Sequence, residues 1–162
     1  MPRTTTPPSR DYFLGCDPGK SGAFAMLGRE GNVIAEMRCT ETITDIGSFL
    51  RQYRTRISFA LIEQVGAMPT DARSSAFKFG DAFGWMRGMI TVCNIRHEYI
   101  RPVKWQSAME CRTGGDKNIS KAKAQTMFPD YKGITGKGIC HSNADALLLA
   151  ELARRTGLER GW

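Results

Sequence analysis

Apolar positions along the chain change their period in a regular order. Tyr12 to Asp17 is a short apolar run ending in an Asp-Pro-Gly turn, the pattern of a strand and its exit. Gly22 to Leu27 and Val33 to Arg38 read as two more strands, with Gly28 to Asn32 as the hairpin between them. The spacing then shifts: Ile43, Ile46, Phe49, Leu50 and Tyr53 fall on one helical face. Ile57 to Ile62 is apolar at nearly every position, which predicts a strand covered on both sides. A loop from Gln64 to Arg73 leads into a long helix, Ser74 to Val92, with Phe79, Phe83, Met86 and Ile90 on one face. His97 to Ile100 is a fifth strand, stopped by Pro102, and a short helix around Trp105 to Met109 follows. After the turn at Gly114 and Gly115 come a basic helix, Ile119 to Phe128, a loop from Tyr131 to Cys140, and an apolar helix, Ala144 to Arg155. Three meandering strands followed by alternating helix and strand describe a mixed-sheet α/β domain.

The chain has 162 residues, which suits one domain with its own core. No repeat or linker divides it, so residues 12–162 are expected to fold as a unit. Residues 1–11 are polar and proline-bearing and read as a disordered lead-in rather than a secretory signal. No apolar run reaches membrane-spanning length, and a cytoplasmic setting is expected. The five cysteines lack CxxC spacing. Cys93 and His97 would make half a zinc site with no second half, so free thiols are the better reading.

Net charge is +7, which favours an anionic partner. Its placement says more. Between Cys111 and Lys137 stand Arg112, Lys117, Lys121, Lys123, Lys132 and Lys137, opposed only by Asp116 and Asp130. Such a local excess points to phosphate or nucleic acid. The long helix adds a different oddity, a stripe of Ala76, Gly80, Gly84 and Gly88 at steps of four. Each glycine costs about 1 kcal/mol relative to alanine in a helix, so a close backbone contact is expected to compensate. The chain's own sheet and a second subunit are both open as the partner.

Three carboxylates stand at the edges of regular elements. Asp17 ends the first strand, in Gly15-Cys-Asp-Pro-Gly-Lys-Ser-Gly22. This is not a phosphate-binding P-loop, because position 14, where that motif requires glycine, is Leu14. Glu63 directly follows an apolar strand, and Asp145 opens the last helix. Taken singly, Asp17 is a turn former, Glu63 a strand exit, and Asp145 the partner of Ser142 in an S-x-x-D cap. Taken together, they can be brought side by side by a packed sheet. Clustered carboxylates repel, and a divalent cation relieves the repulsion; Mg²⁺ accepts a few carboxylates plus water and phosphate oxygens, with Mn²⁺ as a substitute. Two such ions about 3.5–4 Å apart support phosphodiester hydrolysis.

The element order β-β-β-α-β-α-β-α is the RNase H-like order. The strand ending in G-x-D-P-G-x-x-G, the later "L-I-E-Q-V" and the "A-D-A-L-L-L-A" of the last helix resemble the RuvC family of Holliday junction resolvases. The "F-K-F-G-x-x-x-G", "P-V-K-W-Q" and "D-K-x-x-S-K-x-K-A…F-P" segments resemble its phage and bacterial members. The likeness runs from about Tyr12 to Arg155.

That resemblance implies an RNase H-like mixed sheet flanked by helices, with Asp17, Glu63 and Asp145 as metal-binding catalytic residues. It implies a homodimer that binds four-way or otherwise branched DNA and nicks two strands, in a bacterial or phage-infected cell. Lys78, Lys104, Lys117, Lys121 and Lys123 are then candidate DNA contacts, and Met68, in the loop after Glu63, a candidate wedge between bases. One departure matters. Many relatives carry a further acid or histidine three residues before the last aspartate, where this chain has Ser142. His141 is the favoured fourth ligand, with Ser142 and Asn143 as alternatives. A nuclease of the same fold acting on RNA or flaps, and a non-catalytic junction-binding protein, are the rival readings.

Overall fold

The computed structural model describes residues 9–19, 21–40, 42–64, 66, 73–133, 136 and 138–162. In chain order the elements are β1 (Tyr12–Asp17), β2 (Ala23–Gly28), β3 (Val33–Arg38), α1 (Ile43–Tyr53), β4 (Ile57–Glu63), α2 (Arg73–Val92), β5 (His97–Ile100), α3 (Pro102–Ala108), α4 (Lys117–Met127) and α5 (His141–Glu159). The strands form one sheet in the order β3-β2-β1-β4-β5. The meander β1, β2, β3 is antiparallel, and β1, β4, β5 are parallel. This is the expected RNase H-like mixed sheet. No helix among the described residues is long and apolar enough to cross a membrane.

Side chains alternate across a strand, so each central strand feeds two cores. Leu14, Cys16, Phe24, Met26, Ala60 and Ile62 pack with Ile46 and Leu50 of α1 and Met86 and Ile90 of α2. On the other face Ala23, Ala25 and Leu27 meet Trp105, Ala124 and the Leu147–Leu149 run of α5. Phe13, Phe59 and Leu61 complete that face with Ala153. Burial on both sides explains the nearly continuous apolar run of β4, in which even Ser58 is buried. Each large side chain fully buried there stabilises the fold by about 1.5–3 kcal/mol.

The contact that organises the α5 face is between backbones. A Cβ on Gly15 would lie 2.2 Å from the carbonyl oxygen of Ala146 and 2.3 Å from the nitrogen of Ala150. Nearer the other end of β1, a Cβ on Gly157 would lie 2.4 Å from the Phe13 ring. The helix therefore runs antiparallel to β1, directly on it, and its first turn arrives at the C-terminal end of the strand.

Three helix boundaries differ from the sequence expectation, each for a capping reason. α3 begins at Pro102, because proline fits the first turn, where its missing N–H has no partner to lose. α4 begins at Lys117, where the Asp116 carboxylate accepts from the Asn118 amide at 2.9 Å. α5 begins at His141 and runs to Glu159. The expected Ser142–Asp145 cap is not used: Cys140 is the N-cap, and Asn143 Oδ1 accepts its amide at 2.9 Å. That leaves Asp145 free of capping duty.

The glycine stripe corrects half of the expectation attached to it. Among the described residues, a Cβ on Gly80, Gly84 or Gly88 would meet nothing within 4 Å, so the stripe makes no close contact with the sheet. α2 buries only Met86 and Ile90, while Phe77 is 76% and Val92 85% exposed.

Candidate active site

Strand parity and register bring the acids together. Asp17 shares the α5 face of the sheet with Phe13 and Gly15, and Glu63 shares it with Phe59 and Leu61. In the parallel β1–β4 pair Cys16 lies opposite Ile62, so the two carboxylates leave adjacent strand ends side by side. α5, held on Gly15, supplies Asp145 from just past its first turn.

The electrostatics agree with three acids close enough to influence one another. Burial, then the charges of Glu63 and Asp145, push the Asp17 carboxyl well above its ordinary range. Asp17 and Glu63 share a hydrogen bond that favours the proton on Asp17. Burial also raises Glu63, opposed first by the Trp105 indole, whose Nε1–H donates to Glu63 Oε1 at 2.8 Å. Asp145 is raised by burial and lowered by the Ser120 hydroxyl, Lys117 and His141. Lys117 lowers all three acids, which places its ammonium toward the cluster.

Asp145 Oδ1 is buried with no hydrogen-bond partner. A desolvated carboxylate oxygen left unpaired costs at least about 1–3 kcal/mol, so the arrangement suits a cation rather than a folded core. An all-oxygen donor set is hard and matches Mg²⁺ or Mn²⁺ chemistry. Among the described residues, no group of three or more His, Cys, Asp or Glu side chains is drawn together tightly enough to hold a metal ion as it stands. The donors fit; their closure around an ion is not formed.

No family model matches this sequence, and no characterised protein matches it by sequence. Comparison of folds finds similar structures. The structure of Thermus thermophilus RuvC superposes with a TM-score of 0.62 at 16% identity, over 93% of this chain and 96% of that one. T. thermophilus RuvC in complex with Holliday junction substrate gives a TM-score of 0.61 at 14% identity, again over 93% and 96%. The fold is RuvC-like.

Within this RuvC-like frame the remaining sequence candidates separate. His141, the first residue of α5, is exposed, with Nε2 3.1 Å from Asn118 Oδ1, and is near enough to Asp145 for its charge to be felt. Ser142 Oγ lies 2.9 Å from Cys140 Sγ. Asn143 is withdrawn as a ligand candidate: it is fully buried and both ends of its amide are used. Its Oδ1 caps α5, and its Nδ2 donates to the Glu36 carboxylate at 3.0 and 3.1 Å.

The candidate lysines are not equivalent either. Lys117 faces the acids; Lys123 Nζ is 3.3 Å from Glu110 Oε2 and partly neutralised. Lys121 is half-buried on α4, and Lys78 on α2 and Lys104 on α3 are exposed. Met68, Lys137 and residues 1–8 of the lead-in lie outside the described residues. The cysteines are free, and the His97 ring is occupied by the Ile95 carbonyl at 2.8 Å and the Tyr99 hydroxyl at 3.3 Å.

Two partners of the site were not found by sequence reasoning. Trp105 sits in a recognised segment, but nothing local marks its indole as a donor to a residue on another strand. Glu36 joins Asn143 to the Tyr131 hydroxyl, which donates to it at 2.7 Å, and so ties β3 to the start of α5. Its only local sign is a single acid within the apolar Val33–Met37 stretch.

Proposed function

We propose that this chain is a divalent-metal-dependent endonuclease that cuts branched DNA, resolving four-way junctions by paired nicks that leave 5′-phosphate ends. The observation that carries the reading is the meeting of Asp17, Glu63 and Asp145 from β1, β4 and α5, with one carboxylate oxygen buried and unpartnered. The RuvC structure in complex with Holliday junction substrate supports the choice of substrate.

Asp17, Glu63 and Asp145 would hold Mg²⁺, or Mn²⁺ in its place, with His141 as the favoured further ligand. A divalent ion held there would supply water activation and leaving-oxygen stabilisation for phosphodiester hydrolysis. The chain's own residues prepare that chemistry. Trp105 fixes the direction of the Glu63 carboxylate through its indole hydrogen bond. The Gly15 contact sets the position of α5 and hence of Asp145. Lys117 offsets part of the negative charge and is placed to receive a backbone phosphate; Lys78, Lys104, Lys121, Lys123 and Met68 are further DNA contacts in this reading. A homodimer formed through α2 would give the open Gly80–Gly84–Gly88 stripe the close contact its cost calls for.

The test is one set of reactions. Wild type, Asp17→Asn, Glu63→Gln and Asp145→Asn are incubated with a mobile four-way junction, a flap, linear duplex and an RNA–DNA hybrid, with and without Mg²⁺ or Mn²⁺. Metal-dependent cutting of the junction by wild type is expected, with a loss of about a thousandfold or more in each variant and junction binding retained. Preference for the flap or the hybrid would move the substrate to the rival nuclease reading. Wild-type-like cutting by Asp17→Asn at saturating metal would sink the mechanism.

A further inference from the structure

A small recess lies beside the strand and helix ends that carry the carboxylates. It is a cavity of about 340 Å³ lined by Ser21, Gly22, Arg38, Thr40 and Ser142. Its walls belong to the site's own supports: the turn that follows Asp17, the end of β3, and the first turn of α5 before Asp145. The turn wall is main chain, because a Cβ on Gly22 would lie 2.0 Å from the Asp17 carbonyl oxygen. That turn is joined to β3 by the Cys39 amide, which donates to the Gly22 carbonyl at 3.0 Å.

Arg38 is the residue that gives the recess a chemistry. It ends β3 opposite Ala23 and leans toward α5, with Nη2 3.6 Å from Cys140 Sγ. Its Nε is buried and has no hydrogen-bond partner. None of the ion pairs among the described residues includes it. A desolvated guanidinium N–H without an acceptor is costly, and a planar fork of donors matches the oxygens of a phosphate. The hydroxyls of Ser21, Thr40 and Ser142 are further donors around the same space. The first turn of α5 adds a positive dipole end.

We propose that this recess is a phosphate subsite, in which Arg38 grips a backbone phosphate of the nucleic-acid strand beside the one held at the carboxylates. The assignment to a nucleic-acid strand rests on the proposed nuclease function; the anion chemistry of the recess does not. Arg38 is a positioning residue here: it fixes the strand and takes no part in bond cleavage.

Two measurements test it. In wild-type protein labelled with ¹⁵N, the Arg38 Nε–Hε resonance, assigned by its loss in Arg38→Lys, is followed during titration with inorganic phosphate and with chloride at equal ionic strength. A saturable shift with phosphate alone is expected. Junction affinity is then measured in Ca²⁺ across a salt series for wild type, Arg38→Gln, Arg38→Lys and Thr40→Ala/Ser142→Ala. Arg38→Gln should weaken binding about tenfold or more and flatten the log K against log[salt] slope by about 0.9. Arg38→Lys should keep the slope while losing affinity, and the double hydroxyl variant, which leaves the arginine intact, should lose affinity with an unchanged slope. A resonance indifferent to phosphate, or an unaltered slope in a folded Arg38→Gln, overturns the proposal. Phosphate binding at Arg38 in a wild type that cuts no branched substrate would uphold the recess and remove the nuclease reading instead.

Discussion

The two faces of the sheet use glycine in opposite ways. On the α5 face, Gly15 is where a helix backbone touches a strand backbone, and no atom larger than hydrogen fits. On the α2 face, Gly80, Gly84 and Gly88 look into open space, beside a groove of about 770 Å³ lined by Ile43, Trp85, Met89 and Val92 among others. The first face is finished within one chain and carries the carboxylates at its tip. The second is not finished by anything among the described residues. Close packing and the acidic cluster coincide on the first, whereas the second is left open among the described residues.

The contrast is sharpest in substitutions of glycine itself. Gly15→Val should destabilise the domain by about 3 kcal/mol or more, since the obstruction is backbone rather than a movable side chain. Chemical denaturation reads this directly, and a wild-type midpoint for Gly15→Val would mean that α5 does not sit on β1 as described.

A smaller effect, of unusual sign, is expected at the tip of the closed face. An acid whose pKa is raised by folding keeps its proton in the folded state after the unfolded chain has released its own. Stability therefore falls as pH climbs from the ordinary aspartate value of 3.8 through the raised folded value of Asp17. At pH 8 without metal, Asp17→Asn should melt higher than wild type, because it removes a buried, repelled charge. Mg²⁺ should raise the wild-type melting temperature and leave that of Asp17→Asn nearly unchanged. A lower-melting Asp17→Asn in metal-free buffer would show that the carboxylates do not strain one another.

The least effect belongs to the open face. Gly84→Ala should stabilise the monomer by about 1 kcal/mol, through helix propensity alone, because its methyl meets nothing among the described residues. Gly84→Leu should leave the fold intact but weaken self-association, measured by sedimentation equilibrium, if α2 is where two copies meet. A dimer of unchanged affinity in Gly84→Leu would place any dimer contact elsewhere.

These glycines also mark how far the sequence could be read. Period and punctuation located all five strands, and the ends of β1 and β4 gave Asp17 and Glu63 at once. Spacing cannot tell a packed glycine from an open one. The regular stripe of α2 drew attention while Gly15, unremarkable beside its turn, bears the contact. The start of α5 was misread for a related reason: Ser142 and Asp145 satisfy a local capping pattern, but Asn143 takes the cap and is locked by Glu36, from a strand far off in sequence. Asp145 is then left with an unpaired oxygen, which is a tertiary outcome no local pattern encodes. The indole of Trp105 reaching Glu63 belongs to the same class.

The contact between β1 and α5 also sets the order in which the acidic cluster can form during synthesis. Asp17 lies on β1 and Asp145 on α5, more than a hundred residues later, so the acidic cluster is incomplete until α5 has been made. Until α5 arrives, Phe13, Phe59 and Leu61 have lost their cover and present an apolar sheet face to the surroundings. A fragment ending before His141 would thus lack the third acid of the cluster and be prone to aggregate, so the helix that completes the cluster is also the one that covers the sheet.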